Sequence, residues 1–313
     1  MNTEVFYLTE PPLEFRYGQD TGDPHDGLSL FGPYDADLPS HPRGISYALV
    51  GSADGVKSFT QWSHRIQSAV YPEDNPRLWP LFPGFEAAFT CVWPEDPVHT
   101  IQIDSVKLGE AVSNLDQHKR TSGVVDLYID GISKLQKHDE VLNVIVCIVP
   151  DIVYQNCRPQ SIVTEGIGYS VSGKLSRERG SGQLDLLDSY DPQIYTYSPD
   201  FRRQIKARAM AYDIPIQIIR ESTLRLTPRT DFRERGLTTL SDRAWNLGVA
   251  LYYKAGGKPW RLKSAREGVC YIGIAYRRKD PNSASRSACC AAQMFLDSGD
   301  GIVFMGEYGP WYS

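Results

Sequence analysis

WNLGVALYYKAGGKPW (residues 245–260) and the apolar run that follows it, VCYIGIA (269–275), decide how the chain is read. A helix starting near Ser241 is expected to end at Lys254-Ala255-Gly256-Gly257, because glycine supplies the left-handed backbone that closes a helix, and Pro259 cannot continue it. Tyr271–Arg277 then reads as a strand, Ala288–Phe295 as a second and Gly301–Glu307 as a third, with Asp297-Ser298-Gly299-Asp300-Gly301 as the turn between the last two. Three consecutive strands joined in this way form an antiparallel meander. Such a sheet needs further strands and covering helices. The sequence runs only six residues past Glu307, so it is expected to stop inside a domain.

Upstream of the helix, strands and helices alternate. Ile45–Gly51 reads as a buried strand, a helix is expected from Val56 onward, Val125–Lys137 is amphipathic, and Val141–Val149 is a second buried strand. Ser198-Pro199-Asp200 marks another helix start, a capping residue followed by Pro at the first helical position. That helix carries Arg202, Lys206 and Met210 at i, i+4 spacing on one stripe. It leads through Asp213-Ile214-Pro215 into the strand Ile216–Arg220, which holds Gln217. Apolar strands alternating with helices predict a parallel sheet covered on both faces. Gly166–Ser198, rich in Gly, Ser and charge, reads as a loop. The opening region to about His41 is rich in Pro, Gly and Asp and reads as strands and turns belonging to a larger body.

With 313 residues, 41% of them hydrophobic, the chain can bury one large core or two smaller ones. Its longest apolar run, around Val141–Val149, stops at Pro150 and is too short to span a bilayer. Met1-Asn2-Thr3-Glu4 lacks the basic start and apolar middle of a secretory signal, which makes the cytoplasm the expected compartment. Cys91, Cys147, Cys157, Cys270, Cys289 and Cys290 show no C-x-x-C pair and no His at ligand spacing, so no metal site is legible from them or from the six histidines. Cys147 and Cys270 fall in apolar runs and are expected to be small core hydrophobes. The net charge is −5, but it is unevenly spread: residues 1–200 hold 14 Lys+Arg against 28 Asp+Glu, whereas residues 201–300 hold 19 against 9. A phosphate-binding half joined to an acidic scaffold would show this split, since binding follows the local field rather than the total. A basic surface without a ligand would show it too.

Two groups of residues carry candidate chemistry. Gly168-Tyr169-Ser170-Val171-Ser172-Gly173-Lys174-Leu175 nearly matches a phosphate-binding loop, but Leu175 replaces the hydroxyl that would hold Mg²⁺ and no helix is expected through Gly180-Ser181-Gly182; a basic loop is the reading taken. Lys206, Gln217 and Lys254 lie on elements that a parallel sheet would bring to one end. Two ammonium groups and an amide donor near a helix terminus would clamp a terminal phosphate through charge-assisted hydrogen bonds. Spacing alone leaves open that the lysines are ordinary surface residues.

The same residues resemble the join between the MID and PIWI domains of an Argonaute. In that family the guide's 5′-phosphate is held by an aromatic and a lysine on one helix, a glutamine on the next strand, and a lysine just before Gly-Gly at the end of the next helix. Lys206, Gln217 and Lys254 match the last three positions. Arg202 occupies the aromatic one, and guanidinium can stack on a base as well as pair with phosphate. A further lysine of some relatives, four residues before Lys254, is Ala250 here. Phe31-Gly32-Pro33-Tyr34-Asp35, Phe82-Pro83-Gly84-Phe85, Gly256-Gly257-Lys258-Pro259-Trp260 and Gly306-Glu307-Tyr308-Gly309-Pro310-Trp311 look like landmarks of the short prokaryotic class. That class lacks separate N and PAZ domains.

The resemblance implies an α/β chain: a segment 1–44 packing with PIWI, a Rossmann-like MID domain at 45–255, and the start of an RNase H-like PIWI domain at 256–313. In cutting members an aspartate stands at the end of the first PIWI strand, bridging two divalent ions. This chain has Ala275 there, and Glu307 cannot replace that ligand. What is implied is a binder rather than a nuclease: guide RNA anchored by its 5′-phosphate with Mg²⁺ nearby, and a complementary single-stranded DNA target. Also implied are an APAZ-containing effector partner of TIR, sirtuin-like or nuclease type, higher assembly on target binding, no membrane, and a role in defence against plasmids or phages. The acidic opening region and tryptophans such as Trp79 and Trp93 are the expected partner contacts. Two rivals stand beside it: an RNase H-like nuclease using Glu307, and a structural subunit contacting only protein.

Overall fold

Tyr47–Gly51 and Val144–Val149 are buried at every position, the mark of strands with helices on both faces. They form the centre of the larger of two compact units in the computed structural model, which describes residues 10–72, 75–182, 190–227, 238–278, 287–297, 299–305 and 309–310. One unit is residues 40–257; the other joins residues 1–39 to 258–313. In chain order the elements are β1 (Leu13–Glu14), β2 (Asp20–Thr21), α1 (Pro24–Phe31), β3 (Tyr47–Gly51), α2 (Ala53–Arg65), α3 (Phe85–Phe89), β4 (His99–Gln102), α4 (Ser105–Val112), α5 (Gln117–Leu135) and β5 (Val144–Val149). They continue with α6 (Asp151–Asn156), α7 (Gly173–Gly180), α8 (Pro192–Thr196), α9 (Phe201–Ala209), β6 (Ile216–Arg220), α10 (Leu240–Lys254), β7 (Arg261–Leu262), β8 (Tyr271–Arg278), β9 (Ser287–Phe295), β10 (Gly301–Met305) and β11 (Gly309–Pro310).

The larger unit is a doubly covered parallel sheet of order β4-β3-β5-β6, as the alternating pattern predicts. Its register pairs Leu49 with Thr100 on one side and with Val146 on the other, and Cys147 with Ile218. The core against α5 and α9 holds Val124, Val125, Tyr128, Ile132, Ile145, Cys147, Phe201 and Ile205. Tyr128 is wholly buried there, and its hydroxyl donates to the Ile148 carbonyl at 2.7 Å. On the opposite face aromatic rings dominate: Trp93 stacks on Tyr47 at 4.8 Å and donates to Ser63 Oγ at 2.6 Å. Trp93 is therefore a core residue rather than the exposed partner contact expected of it; Trp79 is half-buried.

Helix boundaries depart from expectation where polar caps compete. The start read at Ser198-Pro199 falls instead at Asp200, whose carboxylate accepts from the Arg203 amide at 2.9 Å; Ser198 Oγ accepts from the Asp200 amide. Gly166–Ser198 is not all loop, since it contains α7, capped by Ser172, and α8, capped by Asp191 with Pro192 at its first position. Cys147 and Cys157 are buried and their thiols are pushed up to about 12, which makes them unreactive; Cys270, expected in the core, is exposed.

In the second unit β1 pairs antiparallel with both β2 and β7, so residues near the start of the chain share a sheet with residues 261–262. Lys258 donates its amide to Asp35, Tyr34 donates to the Pro259 carbonyl, and Phe15 lies 6.3 Å from Trp260. The expected meander is present: β8 and β10 flank β9, with Ile274 opposite Ala292 and Val303 opposite Gln293. Ile272, Ile274, Val303 and Phe304 are exposed on it. Glu307 and the landmark residues Gly306, Tyr308 and Trp311 lie outside the described residues.

Candidate functional site

Of the four residues singled out for a phosphate clamp, Arg202 and Lys206 lie on α9, Gln217 on β6 and Lys254 at the end of α10, and α9 and α10 both pack on β6, the last strand of the sheet order. Alternation of side chains along β6 divides the job. Ile216 and Ile218 belong to the core shared with α9, so Gln217 faces the other way. On α9, Phe201, Ile205 and Ala209 form the buried stripe, and the same 3.6-residue period leaves Arg202 and Lys206 exposed on another face.

Lys254 is fixed more tightly. Gly256 is left-handed at φ 95°, its amide donates to Tyr253 and that of Gly257 donates to Tyr252 at 3.0 Å. This pair of bonds is a Schellman closure, and it fixes Lys254 as the last helical residue. Gly257 has no room for a side chain, since a Cβ would lie 2.4 Å from the Tyr252 ring. Tyr252 is itself anchored through its hydroxyl to His41 Nδ1 at 2.9 Å.

Two of the cations bear on the third. Lys254 is half-buried and its ammonium is held below the ordinary 10.5, first by burial, then by repulsion from Lys206 and from Arg202. Among the described residues none of these three side chains has an ion pair or hydrogen bond. Gln217 spends one amide hydrogen on the Ile218 carbonyl at 3.3 Å, a long bond that a better acceptor would displace. Lys206 and Lys254 both fall in last helical turns. Helix C-termini favour cations and repel anions, so an anion here would be held by side-chain charge rather than by helix amides. Mg²⁺ prefers carboxylate, phosphate and water oxygens. Three cations and one amide do not by themselves make a site for it.

Arg202 also lines a cavity of about 280 Å³ that sequence reading missed. It opens at the carboxyl ends of β5 and β6, with a floor of Val149, Val153, Phe201 and Ile218 and a rim that includes Arg158, Arg203 and Arg220. Parallel sheets place ligand crevices at that edge. Two guanidinium groups lie over the Tyr154 ring, Arg158 at 4.2 Å and Arg220 at 3.9 Å from its centre, and Arg220 is braced by Asp151 at 2.8 Å. The excess of arginine after residue 200 was the available signal; nothing in the spacing joins Arg158 to it.

The near phosphate-loop at 168–175 does lead into a helix, contrary to expectation, since α7 begins at Gly173. Lys174 points to solvent at 88% exposure, with Glu178 3.9 Å away, so it is not turned toward a phosphate cradle. Ala275 lies on β8 opposite Ala291 and is exposed.

No family model and no curated protein matches the chain. Among solved structures it is similar to an Argonaute of A. aeolicus, with 12% identity, a TM-score of 0.47, and coverage of 97% of this chain and 30% of that one. It is similar to Drosophila Piwi with 12% identity, a TM-score of 0.41, and coverage of 95% and 30%. The chain thus spans about 30% of the length of these proteins.

Proposed function

We propose that this chain anchors the 5′-phosphate of a guide strand, with base pairing supplying specificity and the protein supplying shape and charge. The observation that carries the reading is the convergence on Lys254 of two further cations, Lys206 and Arg202, with no acceptor among the described residues. A fold that sets two further positive charges against Lys254 raises its own energy unless an anion arrives. A terminal phosphate carries ~1.5–2 negative charges at neutral pH and three strong acceptor oxygens. It would accept from Lys206, Lys254 and the Gln217 amide, while Arg202 stacks on the first base or pairs with the next phosphate.

The resemblance to short Argonautes extends the proposal to an RNA guide, a single-stranded DNA target and an APAZ-containing effector partner in plasmid or phage defence. Cutting is assigned to none of this chain's residues, because Ala275 offers no oxygen to a metal ion. The domain division carried with the proposal is a MID domain at 45–255 flanked by PIWI-associated segments.

The test is binding of a short 5′-phosphorylated RNA against its 5′-hydroxyl twin by the full chain. Wild type should prefer the phosphorylated strand, and the double variant Lys206→Ala/Lys254→Ala should bind both equally. Equal binding by wild type would sink the clamp and leave a protein-contacting subunit as the better account.

A further inference from the structure

We propose that His99, His138 and Glu140 form a binding site for a divalent transition metal of the Zn²⁺ class. The site lies at the sheet edge opposite the cation cluster, since β4 and β6 are the two ends of the strand order. His99 is the first residue of β4, and His138 and Glu140 follow α5 in the segment leading to β5. The fold brings them to one end of the sheet, because β4 and β5 both pair in parallel with β3, from its two sides.

Their geometry suits one ion. One nitrogen of each imidazole and one oxygen of the carboxylate all lie within 4.8 Å of one another. His99 Nε2 donates to Glu140 Oε2 at 3.0 Å, and the two imidazoles stack at 4.0 Å with planes 28° apart. Zn–N and Zn–O bonds of roughly 2.0–2.2 Å put neighbouring donors of a tetrahedron about 3.4 Å apart. Small side-chain rotations close the remaining gap, and they are available because His138 and Glu140 are exposed.

The donor types choose the metal. Two imidazoles and one carboxylate are the His₂Glu set of open zinc sites, with the fourth position left to water; Mg²⁺ and Ca²⁺ prefer all-oxygen ligands. Glu140 is exposed and its carboxylate already lies within hydrogen-bond reach of His99 Nε2, so it can turn from the imidazole to an ion. Metal binding displaces that hydrogen bond: His99 stays a neutral imidazole with its proton on Nδ1, and Nε2 presents its lone pair to the ion. The ion would then tie the first residue of the edge strand to the segment between α5 and β5.

The experiment titrates Zn²⁺ into the full chain in competition with a chromophoric chelator, for wild type, His138→Ala and Glu140→Gln, each checked for native circular dichroism. All three share the same cysteines, so a difference between them belongs to this site. Wild type should hold one equivalent more tightly than either variant, by about tenfold or more, and Zn²⁺ but not Mg²⁺ should raise its melting temperature. Zn²⁺ binding identical in wild type and both variants overturns the proposal, and so does an equal response to Mg²⁺.

Discussion

Buried arginines and the cations around β6 answer the same cost in opposite ways. Arg120 is 1% exposed, yet its guanidinium reaches the carbonyls of Asn156, Asn114 and Ser161 at 2.8, 2.5 and 3.2 Å. Arg243 likewise donates to the carbonyls of Thr238, Thr223 and Arg225. Every one of those acceptors belongs to a loop or a helix end, so these arginines act as internal clips for backbone that no sheet or helix satisfies. Lys254 has no such acceptor among the described residues, and its nearest charged neighbours repel it. A cation that the fold has paired is structural; one that the fold has left unpaired and crowded is, on the proposed reading, the one set to meet an anion from outside the chain.

The comparison breaks first at Arg120. Arg120→Met leaves several buried carbonyls without a donor and should cost about 3 kcal/mol of unfolding free energy. Urea unfolding reads this as a lower midpoint with an unchanged slope, and a midpoint equal to wild type would mean that the clip is ornamental. The next effect is on ligand affinity rather than stability. Lys206→Ala/Lys254→Ala should unfold no more easily than wild type but lose about tenfold in affinity for a 5′-phosphorylated RNA. Its salt slope should fall by about 1, since fewer counterions are released per strand bound. A slope unchanged by the double substitution would place the phosphate contacts elsewhere, with the arginine-rimmed cavity beside Arg202 as the next place to look.

How much of this was legible beforehand depends on whether the signal was local. Gly256-Gly257 closes α10 where the glycines said it would, because a left-handed C-cap is a property of a few neighbouring residues. The strand Ile216–Arg220 was read to the residue and the parallel sheet was read in kind, since runs of buried apolar residues need no partner to be recognised. The start of α9 was misplaced by the competition between two good caps, Ser198 and Asp200, which only backbone geometry settles. Helix α7 was missed because glycine and serine surround a short polar helix held by its cap and by Arg179, which is buried and donates to Tyr195 and Tyr169. The sequence pattern groups Arg202, Lys206 and Lys254, but that Lys206 and Arg202 act on the Lys254 ammonium is visible only in the fold. His99, His138 and Glu140 carry no signal in the sequence: His99 lies about 40 residues from the other two, and only the fold brings it to them.

Smaller effects sharpen the comparison further, because an unpaired cation should cost the empty protein something. Lys254→Met keeps the aliphatic stem that packs at the end of α10 and removes only the charge. At neutral pH without ligand it should melt higher than wild type, by on the order of a few degrees, while losing the 5′-phosphate preference. Replacing a paired cation such as Arg243 by Met should do the reverse and lower the melting temperature. The gain from Lys254→Met must also depend on pH in one direction. The folded protein holds the Lys254 ammonium below the ordinary 10.5. Between that lowered value and 10.5 the unfolded chain carries the extra proton, so wild-type stability rises with pH across the window. Below the window both states are charged and the folded one bears the full cost of burying and crowding the charge; above it both are neutral and that cost is gone. The advantage of Lys254→Met over wild type should therefore be constant through the neutral range and shrink toward zero as the pH approaches 10.5. An advantage that persists at high pH would mean that the gain comes from packing, and the charge argument for the site would lose its energetic footing.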